Sequence, residues 1–500
     1  MSHRLLSSFH FLLLLFSLTQ STPVDEGLFN DRMRQLDQEI EIELKKDSKE
    51  RYFVEGRIEE IEEAKSKIIS TIDGKTIEEE DDGYTGPYAK NLYQGDIMLT
   101  QSELPFPSIH LNSFFSDQLE QVTSKKTSRN RRQAQKNSLY PSNLWKNDPI
   151  PYTFDPRFPK SRIPAVRAAI EYWERNTCIR FAENATGKDR IRFINGNGCW
   201  SMIGKTGGEQ FISIGYGCDW IGTIAHELEH AFGVWHTQAR PDRGYYLAVN
   251  AWNILSYQLH NFDTQALKNV DLLGIPYEFG SVMHYFQNDF AIDRSKPTLV
   301  TRTGYERFQE SMSNYLPSFY DIRLINTYYQ CYDKCPSKLS CLNGGIQDVN
   351  NCDQCKCPPG YNGNNCEQIT ISWSYLLHVQ STTGCDKFLS IGSSPVNLNA
   401  TAGSDGLWSL TYEHCAIHLQ ATDPKKRIEL SVTTRGGFTS WNCYGAGVDI
   451  RLMKDPAMSG VRLCRPNTIF DAVYSDADHM VLSLFARVNY VDFSFSARSI

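Results

Sequence analysis

The sequence predicts an α+β domain in the middle of the chain, followed by a small disulfide-rich module and a β-sandwich. Between Ile150 and Ile214, segments with strand-like alternation flank a segment whose apolar residues recur at helical spacing. Six cysteines then fall between Cys335 and Cys366, in a segment too short to bury an adequate core without disulfides. From about Trp373 onward the chain is rich in short β-type runs.

Length and composition limit the classes of protein that fit. The chain has 500 residues, of which 41% are hydrophobic and 22% charged, and its net charge is −7. A nucleic-acid-binding polycation and a wholly disordered acidic chain are excluded by these values. All fourteen cysteines lie between Cys178 and Cys464, so the first third of the chain has none.

The N-terminus predicts the compartment. Arg4 precedes an apolar run from Leu5 to Leu18, which is typical of a signal peptide ending at about residue 21. A buried N-terminal helix is the alternative, but the run lacks the polar face that such a helix needs. No later run is long enough for a membrane span and the C-terminus has no lipid-anchor signal, so we expect a secreted, soluble protein.

A propeptide is predicted from residue 22 to 132. Its first part, from Asp25 to about Glu80, is dense in charge and indicates solvent-facing helix. Arg129 to Arg132 form an R-x-R-R pattern, which predicts cleavage between Arg132 and Gln133 by a furin-type convertase. The alternative is that this basic run is only a solvated surface.

The elements of the α+β domain follow from local patterns. Ile150–Phe154, Arg190–Ile194 and Gln210–Ile214 alternate as strands do. Between the first two, Pro164–Asn176 has apolar residues at helical spacing behind a proline suited to the first helical turn.

One motif carries the chemistry. His226 and His230 are four residues apart, so a helix would place both imidazoles on one face, where they can bind a single zinc ion. Glu227 would reach a water molecule at the metal, and Gly233 would let the chain turn so that His236 supplies a third ligand. Three protein ligands leave an open position, which is typical of catalytic zinc. A chance H-x-x-x-H on a solvated helix is the alternative, but the longer pattern and its apolar flanks argue against it.

The segment from His226 to His236 resembles the metzincin pattern H-E-x-x-H-x-x-G-x-x-H, and Ala239 to Arg243 narrows the resemblance to the astacin family, of the nematode type. The resemblance implies a two-subdomain metzincin-type zinc protease over residues 133–331. It also implies hydrolysis of peptide bonds in extracellular proteins by a zinc-activated water, with Glu227 as general base.

The resemblance assigns two further roles downstream. Ser281–Tyr285 looks like the family's Met-turn, which would place Met283 under the metal and make Tyr285 a movable ligand and oxyanion donor. Taken alone, this pentapeptide could be a strand end.

The resemblance also implies a latent precursor. Gly95-Asp96 resembles the propeptide motif F-x-G-D, with Tyr93 in place of phenylalanine, and Asp96 would occupy the open zinc position. Without the resemblance, Gly-Asp is only a turn signal.

One departure from the family concerns the mature N-terminus. The family has a glutamate after the third histidine that receives the buried N-terminal ammonium, whereas this chain has Thr237, which cannot form that ion pair. A mature chain that begins at Gln133 would also have an N-terminal segment a few residues longer than that of the family's mature enzymes. Either further trimming occurs or the N-terminus stays outside.

Two C-terminal modules resemble extracellular domains. Residues 332–367 are similar to an EGF-like module, and residues 373–491 look like a CUB domain, with a possible matrix partner. Six cysteines allow 15 pairings, and sequence alone leaves the EGF pairing open. The resemblance implies these pairs: Cys178–Cys331, Cys199–Cys218, Cys335–Cys352, Cys341–Cys355, Cys357–Cys366, Cys385–Cys415 and Cys443–Cys464.

Two N-x-T triplets, at Asn184 and Asn399, are compatible with glycosylation in a secreted chain. A catalytically silent binding protein that acts through its EGF-like and CUB-like modules is the competing hypothesis. The intact residues Glu227 and Tyr285, together with all three histidines, argue against it.

Overall fold

In the computed structural model, the residues that can be described all belong to one compact unit, which spans Asp82–Ile500. The described residues are Leu92, 94–98, 134–135, 144–146, 149–267, 270–369, 379–381, 387–437, 443, 445–464 and 472–500. The predicted signal peptide, most of the propeptide, Tyr93, and the processing residues Arg132 and Gln133 lie outside them. Within the described part, no helix is long and apolar enough to cross a membrane.

The protease-like part begins with a six-stranded sheet. Its strands are β1 Ile97–Met98, β3 Ile150–Phe154, β4 Phe181–Glu183, β5 Arg190–Ile194, β6 Cys199–Met202 and β7 Glu209–Ile214. They lie in the order β1-β6-β7-β5-β3-β4. Strands β7, β5 and β3 run parallel, and β6 pairs antiparallel with β7. The three strands predicted from alternation all lie in this sheet.

Two helices pack together next to this sheet. Helix α1, Ile163–Asn176, has its proline in the first turn, as predicted, and buries Trp173 completely. The Trp173 indole Nε1 donates to the Ala225 carbonyl oxygen (3.1 Å) on helix α2, Ile221–Ala231. The helix pair therefore fixes α2, which carries the first two histidines of the motif.

The second part of the protease region is mostly irregular and closes with helix α3, Phe319–Tyr328. Ser318 and Asp321 form a capping box at its start, which satisfies free N–H groups of the first turn. Short strands connect this region: β2 Ala134–Gln135, β8 Leu247–Val249, β9 Val270–Asp271 and β10 Leu299–Thr301. Short 3-10 segments occupy Lys160–Arg162, Thr237–Ala239, Arg243–Tyr245, Ala251–Asn253, Ser256–Phe262, Glu306–Ser311 and Cys331–Lys334.

The cysteine-rich segment consists of two short hairpins held by disulfides. One pairs β11 Ile346–Gln347 with β12 Cys355–Lys356, and the other pairs β13 Tyr361–Asn362 with β14 Gln368–Ile369. The small buried cluster of this segment consists of Tyr361 and the half-cystines Cys355, Cys357 and Cys366. Disulfides therefore take the place of a core, as expected for so short a segment.

The C-terminal module is built on two long paired strands that are far apart in the sequence. Strands β17 Val396–Ala421 and β22 His479–Ser499 pair antiparallel, with register shifts between Gly403 and Glu413. These strands are much longer than the short runs predicted, because pairing continues across the irregularities. Eight strands join in one hydrogen-bonded sheet, and the others are β15 Val379–Ser381, β16 Lys387–Ile391, β18 Ile428–Gly437, β19 Ala446–Arg451, β20 Val461–Leu463 and β21 Val473–Tyr474.

The described cysteines are disulfide-bonded. Six of the seven pairs that the resemblance implies are present: Cys178–Cys331, Cys199–Cys218, Cys335–Cys352, Cys341–Cys355, Cys357–Cys366 and Cys443–Cys464. Cys415 is also disulfide-bonded, and Cys385 lies outside the described residues.

Candidate metal centre

Helix α2 and the turn after it bring three histidines together. His226 and His230 lie on one face of α2, with ring centroids 4.6 Å apart. The helix ends at Ala231, and Gly233 adopts a φ of +103°, which only glycine adopts readily. The chain thereby turns back, and the His236 ring centroid lies 4.7 Å from that of His230 and 5.3 Å from that of His226.

Each of the three rings is oriented by an oxygen atom at Nδ1. The backbone oxygens of Val282 and Val234 lie 2.8 Å from Nδ1 of His226 and of His230, respectively. The side-chain oxygen Oε1 of Gln94 lies 3.0 Å from Nδ1 of His236. Carbonyl oxygens only accept hydrogen bonds, so each Nδ1 carries the proton and each Nε2 presents a lone pair.

The three Nε2 atoms converge on the carboxylate of Asp96. Asp96 Oδ2 lies 3.2 Å from His226 Nε2 and 3.1 Å from His236 Nε2, and Oδ1 lies 3.6 Å from His230 Nε2. The candidate ligand atoms of these four residues lie within 4.8 Å of one another. The structure thus brings together the residues that the sequence analysis assigned separately to metal binding and latency.

The electrostatics of this cluster favour a bound cation. Burial lowers the pKa of His230 to about 4 and also lowers the pKa of His236, so both rings are neutral near pH 7. His230 Nε2 and Asp96 Oδ1 are buried and have no hydrogen-bond partner in the described structure. A carboxylate facing neutral imidazole lone pairs is repelled unless a cation lies among them, and imidazole nitrogen with carboxylate oxygen is a donor set that zinc prefers.

Glu227 lies next to the first histidine and is almost completely buried. Its Oε2 has no hydrogen-bond partner among the described residues. Burial, together with the nearby charge of Asp96, raises the pKa of Glu227 well above its ordinary value. A carboxylate with a raised pKa next to a metal centre can accept and release a proton near neutral pH.

Tyr285 lies beside the third histidine, and Met283 is a core residue. The Tyr285 ring packs against His236, with centroids 4.8 Å apart, and its hydroxyl donates to the Gln94 carbonyl oxygen. Met283 is fully buried, and its carbonyl oxygen accepts from the Thr237 N–H (2.8 Å).

The segment around Asp96 is held by more than its carboxylate. Strand β1 pairs parallel with β6, which adds an edge strand to the sheet. The Gln94 amide bridges the site, because Oε1 accepts from His236 and Nε2 donates to the Asp263 carbonyl oxygen (3.1 Å). At Gly95, whose φ is +82°, a Cβ atom would lie 2.7 Å from the Phe290 ring, so the close approach requires glycine.

Gln94 and the two backbone carbonyl oxygens were not predicted from the sequence as groups that orient the histidine rings. Gln94 could have been noticed, since it lies two residues before Asp96. The carbonyls of Val234 and Val282 gave no signal, because a backbone acceptor does not depend on the type of side chain.

Thr237 lies in a buried polar environment. Its hydroxyl donates to Ser281 Oγ (3.0 Å), which in turn donates to Asp321 Oδ1 (2.6 Å). Nearby, Glu229 is fully buried, and neither of its carboxylate oxygens has a hydrogen-bond partner in the described structure. Burial, and then the charge of Asp321, raise the pKa of Glu229 well above its ordinary value.

Ala134 is the described residue nearest to the predicted cleavage point. Ala134, two residues after Arg132, is completely buried and forms an isolated β-bridge with Val234, between the second and third histidines. The predicted glycosylation residues Asn184 and Asn399 are both exposed.

Comparison with known proteins agrees with this geometry. The family model described as Astacin, a peptidase family, matches residues 137–330. Zinc metalloproteinase nas-28 of Caenorhabditis elegans is 32% identical over 368 residues, which are 72% of this chain and 72% of that protein. The chain belongs to the astacin family.

Two further relatives and a solved structure are also similar to parts of this chain. Zinc metalloproteinase nas-29 of Caenorhabditis elegans is 30% identical over 424 residues, 82% of this chain and 76% of that protein. Nas-31 of the same organism is 33% identical, but the chain spans only 57% of its length. Among solved structures, high choriolytic enzyme 1, a hatching enzyme zinc-protease from Oryzias latipes, is 29% identical, with a TM-score of 0.36, and covers 40% of this chain and 99% of that one.

Zinc is accordingly the cofactor of this astacin-family metalloprotease. The described residues fit the ion, since three imidazole nitrogens and a carboxylate converge and each ring is held in the tautomer that binds metal. His226, His230 and His236 are the residues that would hold it, with Asp96 at the remaining position.

Proposed function

We propose that the protein is a secreted endopeptidase that hydrolyses peptide bonds in extracellular proteins and is made as a zymogen. The observation that carries this proposal is the convergence of three metal-competent histidine nitrogens on Asp96, with Glu227 buried beside them. A catalytic centre and an inhibitory ligand in one place support an enzyme that is synthesised in a latent form. The disulfide-bonded cysteines support secretion.

The chemistry assigns a separate role to each residue. Zinc, when bound, polarises the scissile carbonyl and lowers the pKa of a water molecule. Glu227 takes a proton from the attacking water and passes it to the leaving amine, a transfer for which its raised pKa is suited. The Tyr285 hydroxyl already donates to the peptide carbonyl of Gln94, so it is placed to donate to a substrate carbonyl as negative charge develops there.

Latency follows from the position of the propeptide. Asp96 lies beside the histidines, where a substrate would have to bind. The Gln94 carbonyl oxygen accepts the hydrogen bond that the Tyr285 hydroxyl would otherwise donate to the substrate. Cleavage between Arg132 and Gln133 by a furin-type convertase would separate this segment covalently from the protease. Release of Asp96 then opens the metal centre.

The modules after the protease have supporting roles in this proposal. Residues 332–367 act as an EGF-like connector, and residues 373–491 as a CUB-like domain that can hold a substrate or matrix partner. The disulfide-stabilised hairpins and the long antiparallel pair of β17 and β22 are compatible with these assignments.

The direct test is hydrolysis of an unfolded protein by the convertase-cut chain, with and without a zinc chelator. We expect cleavage that the chelator abolishes and that added zinc restores. A folded, zinc-loaded and cut chain that cleaves no peptide bond would favour the binding protein instead.

A further inference from the structure

A loop of the C-terminal module contacts the segment that precedes Met283. This docking loop is Asp455–Arg462, whose last two residues begin strand β20. The Ser459 N–H donates to Glu278 Oε2 (3.1 Å), and the Gly280 N–H donates to Oε1 of the same carboxylate (3.0 Å). Glu278 is 3% exposed, and a Cβ atom on Gly280 would lie only 2.3 Å from Ser459 Oγ. The two segments are therefore in close, water-excluded contact.

Arg462, at the end of the docking loop, provides a second buried connection. It is 2% exposed, its backbone N–H donates to Ser311 Oγ (2.8 Å), and its Nη1 donates to the Ser313 carbonyl oxygen (2.7 Å). The Ser313 N–H in turn donates to the Phe279 carbonyl oxygen (2.8 Å). The first connection thus reaches Glu278, and the second reaches the neighbouring residue Phe279 through Ser313.

An aromatic contact extends the same interface. The Tyr315 ring packs against the rings of Tyr412 and Phe485, at centroid distances of 4.1 and 4.6 Å. Tyr315 belongs to the protease and the other two to the C-terminal module. A tethered, independently moving module would not bury an arginine and a glutamate at its contact, since desolvated charges are costly unless they are hydrogen-bonded.

The segment from Glu278 to Val282 leads directly to the metal centre. At its far end, the Val282 N–H donates to Asp321 Oδ2 (3.0 Å), and the Val282 carbonyl oxygen orients His226 through Nδ1 (2.8 Å). One end of the segment is therefore fixed by helix α3, and the other by the C-terminal module.

We propose that the docking loop positions His226 by anchoring this segment, with Glu278 as the positioning residue, so that tight zinc binding requires the C-terminal module. The inference deepens the proposed function and rests on it for the role of the zinc. It assigns the module a part in the active site that is separate from any binding of partners.

The test is the zinc affinity of full-length variants, measured by competition with a chelator in the absence of substrate. E278A leaves two buried N–H donors without an acceptor and should displace the Val282 carbonyl that orients His226. We expect about 10- to 100-fold weaker zinc binding, the usual effect of disturbing a group that orients a metal ligand. E278Q keeps one acceptor oxygen and should be intermediate. R462M acts from the other side of the interface and should weaken zinc binding in the same direction.

The matched control is E429A, which removes a partly exposed ion pair with Arg498 inside the same module. It should bind zinc as the wild type does. Folded E278A and R462M variants with wild-type zinc affinity would overturn the inference. If E278A does not fold, E278Q and R462M decide the result. Because no substrate is used, the outcome is independent of whether the chain hydrolyses peptides.

Discussion

Each metal-binding nitrogen at the centre depends on an oxygen on the opposite side of its ring. Two of these oxygens are backbone carbonyls, of Val282 and Val234, and the third belongs to Gln94 of the propeptide. The residue types and their spacing predicted the histidines, because helical periodicity brings positions i and i+4 together. The orienting carbonyls could not be predicted, since their positions depend on how distant segments pack.

The residue that tests latency is Asp96. In the uncut precursor, D96A removes the carboxylate that faces the three Nε2 atoms, and we expect hydrolysis by the precursor to rise by about 10- to 100-fold. The measurement is the cleavage rate of a quenched fluorescent peptide by precursor that has not been cut. M98A, in the short strand that follows Asp96, is the control. A D96A precursor as inactive as the wild type would contradict the assignment.

Helices and strands that depend on a pattern within one segment were predicted well from the sequence. Strands whose length depends on pairing with a distant strand were not. Helix α1 and strands β3, β5 and β7 appear at or within a residue of their predicted bounds, because periodicity and the N-terminal proline are local signals. The long strands β17 and β22 were predicted only as short runs. Their continuity depends on cross-strand pairing through irregular positions, which no local pattern encodes.

A buried histidine in strand β17 predicts acid sensitivity. Burial lowers the pKa of His414 to about 3 from an ordinary value of 6.5, so below pH 6.5 the unfolded chain binds a proton that the folded chain does not. The contribution of His414 to the free energy of unfolding is therefore fully present above pH 6.5 and is lost as the pH is lowered toward 3. The free energy of unfolding falls by on the order of 2 to 3 kcal/mol between pH 6.5 and 4.5.

The variant H414F keeps an aromatic ring among Tyr315, Tyr412 and Phe485 but cannot titrate. We expect its thermal unfolding temperature to depend less on pH over this range than that of the wild type. H260F, which changes a partly exposed histidine, is the control. Parallel pH profiles for H414F and the wild type would show that His414 is not the cause.

At the scale of the whole molecule, sequence patterns separated a protease from two C-terminal modules but did not predict how they pack. Buried side chains of the protease, such as Tyr277 and Phe308, share one apolar cluster with Ile417 and Leu484 of the C-terminal module. Contacts of this kind join residues that are far apart in the sequence. They depend on the shape of both surfaces, which a single sequence does not reveal.

Activation affects the whole molecule, because it cuts the covalent chain. R132A removes the residue before the predicted cleavage point, and we expect a secreted precursor that stays uncut and inactive when treated with a furin-type convertase. K126A, in the same basic run but outside the R-x-R-R pattern, should be cut and activated normally. Gel mobility and peptide hydrolysis give the readout, and full activity in uncut R132A would contradict activation at this point.

The central claim is that Glu227 transfers the proton in a zinc-dependent hydrolysis. The most direct measurement compares zinc content and peptide turnover of the convertase-cut wild type with those of E227Q. The account predicts one bound zinc per chain in both proteins and a loss of turnover in E227Q of about 100- to 10,000-fold, the usual contribution of a positioned acid–base group. E227Q that binds zinc and still cleaves the peptide at the wild-type rate would contradict it.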